Sequence, residues 1–164
     1  MSIADGIDAE QIVDPEIRRF VEYWCEKRGG AEFPARAALD PIDFRYVLGD
    51  VVLIQVSCSP VGSRWPWEFH YRLIGANLVE RDGYDLTNKS LEDLPEPEYR
   101  ERVRASFTEV CDTRAPIHRI RELFLDYRVR RYEAVVLPLA SNGHDIDMLI
   151  TVQREIRHGA KASP

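Results

Sequence analysis

The dipeptide Asn142-Gly143, set between two apolar runs at residues 129–139 and 145–153, constrains this chain more than any other feature. Asparagine followed by glycine is the strongest short hairpin signal, because both central residues of a type I′ turn need positive φ. A third run, residues 117–125, precedes them across a tip near Asp126-Tyr127, so the last third predicts a meander of three antiparallel strands. Upstream, residues 51–56 are β-branched and apolar on both faces. Residues 57–66 hold two prolines, a glycine and three serines and predict a loop. Trp67, Phe69, Tyr71 and Leu73 then alternate with Glu68, His70 and Arg72, the period of a half-buried strand.

Helical signals fill the rest. Asp14-Pro15-Glu16 combines an N-cap, a first-turn proline and an acidic first turn. Ile17, Phe20, Val21 and Trp24 follow at i, i+3, i+4 and i+7, and Gly29-Gly30 ends the stripe. Asp40-Pro41-Ile42-Asp43 repeats the start signal, and Phe44, Val47 and Leu48 predict a second short helix stopped by Gly49. Residues 75–83 predict a short helix and residues 98–113 a longer one. The latter turns Val103, Phe107 and Val110 inward and Arg100, Arg104 and Glu109 outward. Residues 1–13 are expected to be loose, 14–49 to carry the N-terminal helices, 50–156 to form the core domain, and 157–164 to be a frayed tail. Strands on both sides of a helical middle make an α+β fold with an antiparallel sheet.

Bulk chemistry removes several function classes. A net charge of −6 opposes nucleic-acid binding, which needs a positive surface. The cluster Arg114, Arg119, Arg121, Arg128, Arg130 and Arg131 is expected on outward hairpin positions. Cys25, Cys58 and Cys111 are odd in number and form no CxxC pair, which predicts reduced thiols and no zinc site. There is no secretory pattern at the N-terminus, and no apolar run is long enough to cross a bilayer. A cytoplasmic protein with no membrane partner is the expectation. His70, His118, His144 and His158 lack metal-ligand spacing, and neither a phosphate loop nor a GxSxG elbow occurs, so no catalytic residue is assigned.

Several segments recur here in a familiar order: Phe33-Pro34-Ala35-Arg36 with Asp40-Pro41-Ile42-Asp43, then Tyr71-Arg72-Leu73-Ile74-Gly75, then Gly83-Tyr84-Asp85-Leu86-Thr87, then Tyr132-Glu133 through Leu137-Pro138-Leu139. Together they resemble a family of short, stand-alone bacterial PAS domains common in alphaproteobacteria. Asp82, Tyr84 and Asn88 depart from that pattern, where an aromatic, an arginine and a glycine are usual. Asparagine tolerates the left-handed backbone, so Asn88 is benign. The resemblance implies a PAS-like α+β fold: a five-stranded antiparallel sheet of spatial order 2-1-5-4-3, helices on one face enclosing a cavity, and an extra N-terminal helix. It implies a sensory or regulatory role, and it names no ligand. Haem is disfavoured because residues 75–113 lack histidine, and covalent flavin because Cys111 sits in Val-Cys-Asp rather than in a reactive Asn-Cys-Arg context.

The residues themselves offer a candidate ligand cluster of Tyr71, Glu80, Arg81, Asp82, Tyr84 and Glu133. Glu133 shares strand parity with Val135, Leu137 and Leu139 and is expected to face the covered side, where a carboxylate needs a partner. The alternative keeps Glu133 paired with Arg121 or Arg131, Tyr71 as core and Asp82 as a helix cap. The N-terminal stripe, with Tyr23 on its shoulder, either covers its own sheet or pairs with a second copy. A homodimer through Ile17, Phe20, Val21, Tyr23 and Trp24 is the expectation. Three function classes stand: a ligand-binding sensory module without catalysis, a protein–protein interaction domain with a filled core, and an enzyme of unidentified type.

Overall fold

The computed structural model describes residues 2–4 and 6–157. The strands are β1 (Ser2–Ala4), β2 (Ile7–Asp8), β3 (Val51–Cys58), β4 (Trp67–Ile74), β5 (Ile117–Leu125), β6 (Arg128–Leu139) and β7 (Met148–Glu155). The α-helices are α1 (Pro15–Arg28), α2 (Ala76–Asp82) and α3 (Pro97–Thr113). Strands β3 to β7 form one antiparallel sheet in the order β4-β3-β7-β6-β5, which is 2-1-5-4-3 when only these five are numbered. Strands β1 and β2 make a small separate ribbon.

The sheet is covered on both faces because its central strands are apolar on both. Val52, Ile54 and Val56 of β3 pack on the side of α2 and α3, with Phe69, Tyr71, Phe107 and Val110. Val51 and Leu53 pack on the opposite side with Val135, Leu137, Leu139 and the α1 stripe. A bulge in the β3–β4 register, with Leu53 opposite Leu73 and Ile54 opposite Tyr71, leaves Arg72 as the extra residue. It interrupts the alternation expected along β4: Leu73 is left 38% exposed, and Ile74 joins Tyr71 against the helices.

Helix α1 begins as its sequence demands. Asp14 Oδ1 accepts from the amides of Glu16 and Ile17 at 2.8 and 3.2 Å, and Arg154 Nε donates to Asp14 Oδ2 at 2.8 Å. Ile17, Phe20, Val21 and Trp24 are each 0% exposed within the single chain, and Trp24 Nε1 donates to the Pro138 carbonyl at 3.0 Å. The stripe is therefore spent on the sheet of its own domain, and these four side chains are not available as the dimer seam expected from sequence. Tyr23 is also engaged internally, donating to Asp43 and accepting from the Asp40 amide, both at 3.0 Å.

Three further expectations change. The segment before α1 is packed down, with Ile7 and Ile12 each 1% exposed in the core beneath α1. Residues 41–47 form turns followed by a 3-10 turn at Leu48–Asp50, because too few residues separate Asp40-Pro41 from Gly49 to propagate an α-helix. The type I′ hairpin lies at Asp126-Tyr127, where φ is 50° and 62°, between the paired residues Leu125 and Arg128. Asn142-Gly143 instead sits in a longer connection over residues 140–147. There only Gly143 has positive φ, and Asn142 Oδ1 accepts from the amides of His144 and Asp145 at 2.9 and 2.8 Å. Residues 158–164, most of the expected frayed tail, lie outside the described residues.

Gly75 fixes where α2 leaves β4. A Cβ there would lie 2.2 Å from the Gly49 carbonyl oxygen, so only glycine allows these backbones to meet.

Phe20→Glu combined with Trp24→Glu is expected to unfold the chain, since each places a charge where exposure is 0%. Circular dichroism checks this, and a folded monomer would show that α1 serves a partner rather than its own sheet.

Candidate functional site

Between the sheet and the helices α2 and α3 lies a cavity of about 90 Å³. Its floor is β-sheet: Val52 from β3, Tyr71 and Ile74 from β4, Tyr132, Ala134 and Val136 from β6, and Thr151 and Gln153 from β7. Leu78, Arg81 and Asp82 come from α2, while Tyr99, Arg102, Val103, Ser106 and Phe107 come from α3. Tyr84, Leu86 and Leu94 close the side between the two helices, and Arg121 and Leu123 close the side at β5.

One wall carries an ordered polar cluster. Arg81, whose side chain is only 8% exposed, holds Asp82 with two bonds, Nε to Oδ1 at 2.7 Å and Nη2 to Oδ2 at 3.0 Å. It also donates to Gln153 Oε1 at 3.1 Å and to the Tyr99 hydroxyl at 3.2 Å, and its guanidinium lies 4.9 Å from the centre of the Tyr132 ring. Burial works against the Arg81 charge, but the Asp82 bonds outweigh it and hold the guanidinium protonated. Burial raises the pKa of the Tyr71, Tyr84, Tyr99 and Tyr132 phenols. Tyr84 is raised further by the bond its hydroxyl donates to Glu96 at 2.8 Å. The cavity thus presents neutral hydroxyls, one internally neutralised ion pair and the guanidinium groups of Arg102 and Arg121, set among apolar side chains.

A broader groove of about 260 Å³ runs outside, between residues 59–70 and the outer face of α3. Its most buried charge is already matched. Arg104, expected on the outside, is 4% exposed, bonded to Glu92 at 2.5 Å and Glu101 at 3.5 Å, and stacked 4.7 Å from the Trp65 ring. The smaller chamber, with its mostly apolar lining, is the better candidate for a ligand.

The sequence profile of the PAS domain matches residues 13–152. The chain belongs to the PAS domain family. As a PAS domain it is a module of the sensory type. Solved structures similar to it include the PAS domain of BvgS from Bordetella pertussis, 14% identical over 74% of this chain and 90% of that one, with a TM-score of 0.53. The LOV protein of Rhodobacter sphaeroides is 13% identical over 76% of this chain and 73% of its own, with a TM-score of 0.46. A PAS domain from Colwellia psychrerythraea is 10% identical over 71% and 98%, with a TM-score of 0.43. No curated protein matches the sequence.

Of the six ligand candidates, Tyr71, Arg81, Asp82 and Tyr84 line the cavity of this PAS domain. Glu80 does not: it lies on the exposed side of α2. Glu133 does share parity with Val135 and Leu137, but that face is the α1 face, opposite the cavity. There it is 0% exposed and accepts from the amides of Val13 and Asp14, both at 2.7 Å, with His118 Nε2 also 2.7 Å away. It fastens the entry of α1 and needs no arginine. Asn88 has φ 64°, as its left-handed tolerance implies.

Sequence reasoning missed Tyr99, Arg102, Ser106, Arg121, Tyr132 and Gln153. The signal was present on α3, where Tyr99, Arg102, Val103 and Ser106 follow the spacing of one helical face. Arg121, expected on an outward hairpin position, instead faces α3, as does Arg119 on the same side of β5. Cys111 packs in the apolar cluster but not in the cavity wall, and burial pushes its thiol up to about 12, the opposite of a reactive cysteine. Among the described residues no group of histidine, cysteine or carboxylate side chains is arranged to hold a metal, and no helix is long and apolar enough to cross a membrane.

Two outcomes are expected. Glu133→Gln should destabilise the chain by about 2–3 kcal/mol, the worth of hydrogen bonds to a charged acceptor. Hydrogen exchange should show the loss at the Val13 and Asp14 amides; unchanged protection there would mean the carboxylate does not hold α1. The second outcome is alkaline. A phenol whose pKa is raised in the fold favours the neutral form, so its contribution is complete below an ordinary pKa of about 10 and is lost as pH rises beyond it. The cavity tyrosines should therefore ionise together with unfolding, read as tyrosinate absorbance rising in step with loss of circular dichroism. Smooth ionisation of all tyrosines in a folded chain would contradict the burial.

Proposed function

We propose that this PAS domain is a sensory module that binds a small molecule in the cavity between the sheet and helices α2 and α3, and that it performs no catalysis. The observation that carries this is the Arg81–Asp82–Tyr99–Gln153 cluster, fixed in geometry and facing a chamber whose lining is mostly apolar. Preorganised polar groups in an apolar enclosure are the usual form of a small-molecule site, because they orient a ligand without paying to order themselves. The ligand is small, since about 90 Å³ is less than the 150 Å³ cavity known to take benzene. A haem or flavin group is disfavoured on that volume and because no histidine or cysteine lines the chamber. Cys58 and Cys111 are not joined in a disulfide, in keeping with action in the cytoplasm.

A second reading, an interaction domain, rests on the far end of the β5–β6 hairpin. Phe124 and Val129 are directly paired and are 70% and 60% exposed, and Tyr127 at the tip is 94% exposed. A second copy of this chain would cover that apolar end, which moves the expected homodimer seam from α1 to the hairpin.

Ala134→Phe, which adds a ring to the chamber floor, separates the two readings. The sensory reading expects native mass spectrometry or a small-molecule thermal-shift screen to find binding to the wild-type protein and none to this variant, at unchanged oligomeric state. Binding that survives the filled chamber would place the ligand elsewhere.

A further inference from the structure

Arginines around the cavity divide into two groups. Arg81 is matched by Asp82, Arg104 by Glu92 and Glu101, and Arg119 by a two-bond contact to Glu109 at 2.7 and 2.8 Å. Arg102 and Arg121, which also line the cavity, are different. Among the described residues neither has a carboxylate within 4.0 Å, whereas Arg81, the third arginine of the cavity lining, holds Asp82 at 2.7 Å. Arg121 Nη2 donates only to the neutral Ser106 hydroxyl, at 3.0 Å. Arg102 lies one helical turn before Ser106 on α3, and Arg121 reaches Ser106 from β5, so both guanidinium groups border the same part of the chamber. The one carboxylate near Arg121, Glu109, is occupied by Arg119. Both side chains are half-buried, which removes part of the solvent that would otherwise screen them.

Two like charges at the edge of an apolar box are a costly arrangement. Burial, with Arg102 and Arg119 beside it, lowers the pKa of Arg121. An anion between the two guanidinium groups would relieve that cost, and a carboxylate matches the guanidinium fork with two parallel bonds. The remainder of the chamber, with Leu78, Val103, Phe107 and Val136, is suited to a short apolar body and offers no place for a second charge.

We infer that the cavity takes a small organic monocarboxylate, its head between Arg102 and Arg121 and its apolar body in the chamber toward Val136 and Phe107. This rests on the cavity being the ligand site. The Arg81–Asp82 pair is already neutral, and with the Tyr99 and Tyr132 rings it flanks the head end, where Tyr132 pairs with Arg121 across β5 and β6.

The test compares propionate and butyrate with their amides on the full chain by isothermal titration calorimetry, with inorganic phosphate as a third probe. The acids are expected to bind at least about tenfold tighter than the amides, since a charge-assisted bond is roughly twice as strong as a neutral one. Replacing both arginines, Arg102→Gln with Arg121→Gln, should erase that preference and leave amide affinity within about twofold, while Ala134→Phe should abolish binding of acid and amide alike. Should the double variant fail to fold, Arg102→Gln alone, on the half-exposed side of α3, reads the same preference. Equal binding of acid and amide by the wild-type protein would overturn the anionic head and leave the cavity site standing. Phosphate binding as tightly as butyrate would overturn the apolar body. Absence of binding by every probe would overturn both this inference and the cavity reading beneath it.

Discussion

A central strand that is apolar on both faces has to be covered twice, and that requirement organises this molecule. Val51 and Leu53 need one layer, while Val52, Ile54 and Val56 need another. The chain meets the first need with α1 and the segment before it, and the second with α2 and α3. Burying four large side chains of α1 stabilises the fold by roughly 1.5–3 kcal/mol each, a large part of any domain's net stability. Once its apolar stripe is committed to this task, those four side chains are not free to meet a second copy in the same arrangement. The cavity then lies on the face where the helical layer is formed by two helices of unequal length, with the chain between them closing the gap.

The five strands and the three helices were legible in the sequence because each carries a period long enough to be unambiguous. The face on which a residue lies was less legible. Along β4 the alternation from Trp67 to Leu73 reads cleanly, yet the extra residue Arg72 shifts it, so Ile74 rather than Leu73 reaches the cavity. A bulge leaves no mark in hydropathy, because it changes register without changing composition. Glu133 shows the same limit in another form. Its parity with Val135 and Leu137 was correct, but parity alone does not say which of two covered faces a strand presents. Its acceptor role depends on the backbone amides of Val13 and Asp14, far away in sequence, and main-chain donors are invisible to side-chain reasoning.

Turn chemistry divides in an instructive way. The strongest hairpin dipeptide, Asn142-Gly143, lies in a connection of residues 140–147 that also pairs with the 33–34 backbone, where Phe33 donates to the Gly143 carbonyl and Ala140 to that of Pro34. Tertiary bonding there outweighs the local preference for a two-residue turn. Asp126 and Tyr127 instead adopt left-handed backbone with no glycine, at a cost that the nine paired positions of β5 and β6 overcome. Local propensity decides a turn only where nothing larger is at stake.

The two faces of the sheet are joined more closely than their separate cores suggest. On β6, Tyr132 stacks on Arg81 in the cavity wall, and the next residue, Glu133, holds the entry of α1 on the other side. On β7, Gln153 receives Arg81, and the next residue, Arg154, bonds both Asp14 at the start of α1 and Asp50, each at 2.8 Å. Asp50 in turn accepts from Asn77 of α2 at 3.0 Å. A continuous polar chain therefore runs from α2 through Asp50, Arg154 and Asp14 to Glu133, and every strand residue in it is adjacent to one that lines the cavity. Because such interiors are close-packed and deform little, a shift of Tyr132 or Gln153 in one direction has to be accommodated by Glu133 or Arg154 in the other. The helix that covers the far face is held in place by the same two strands that form the floor of the cavity.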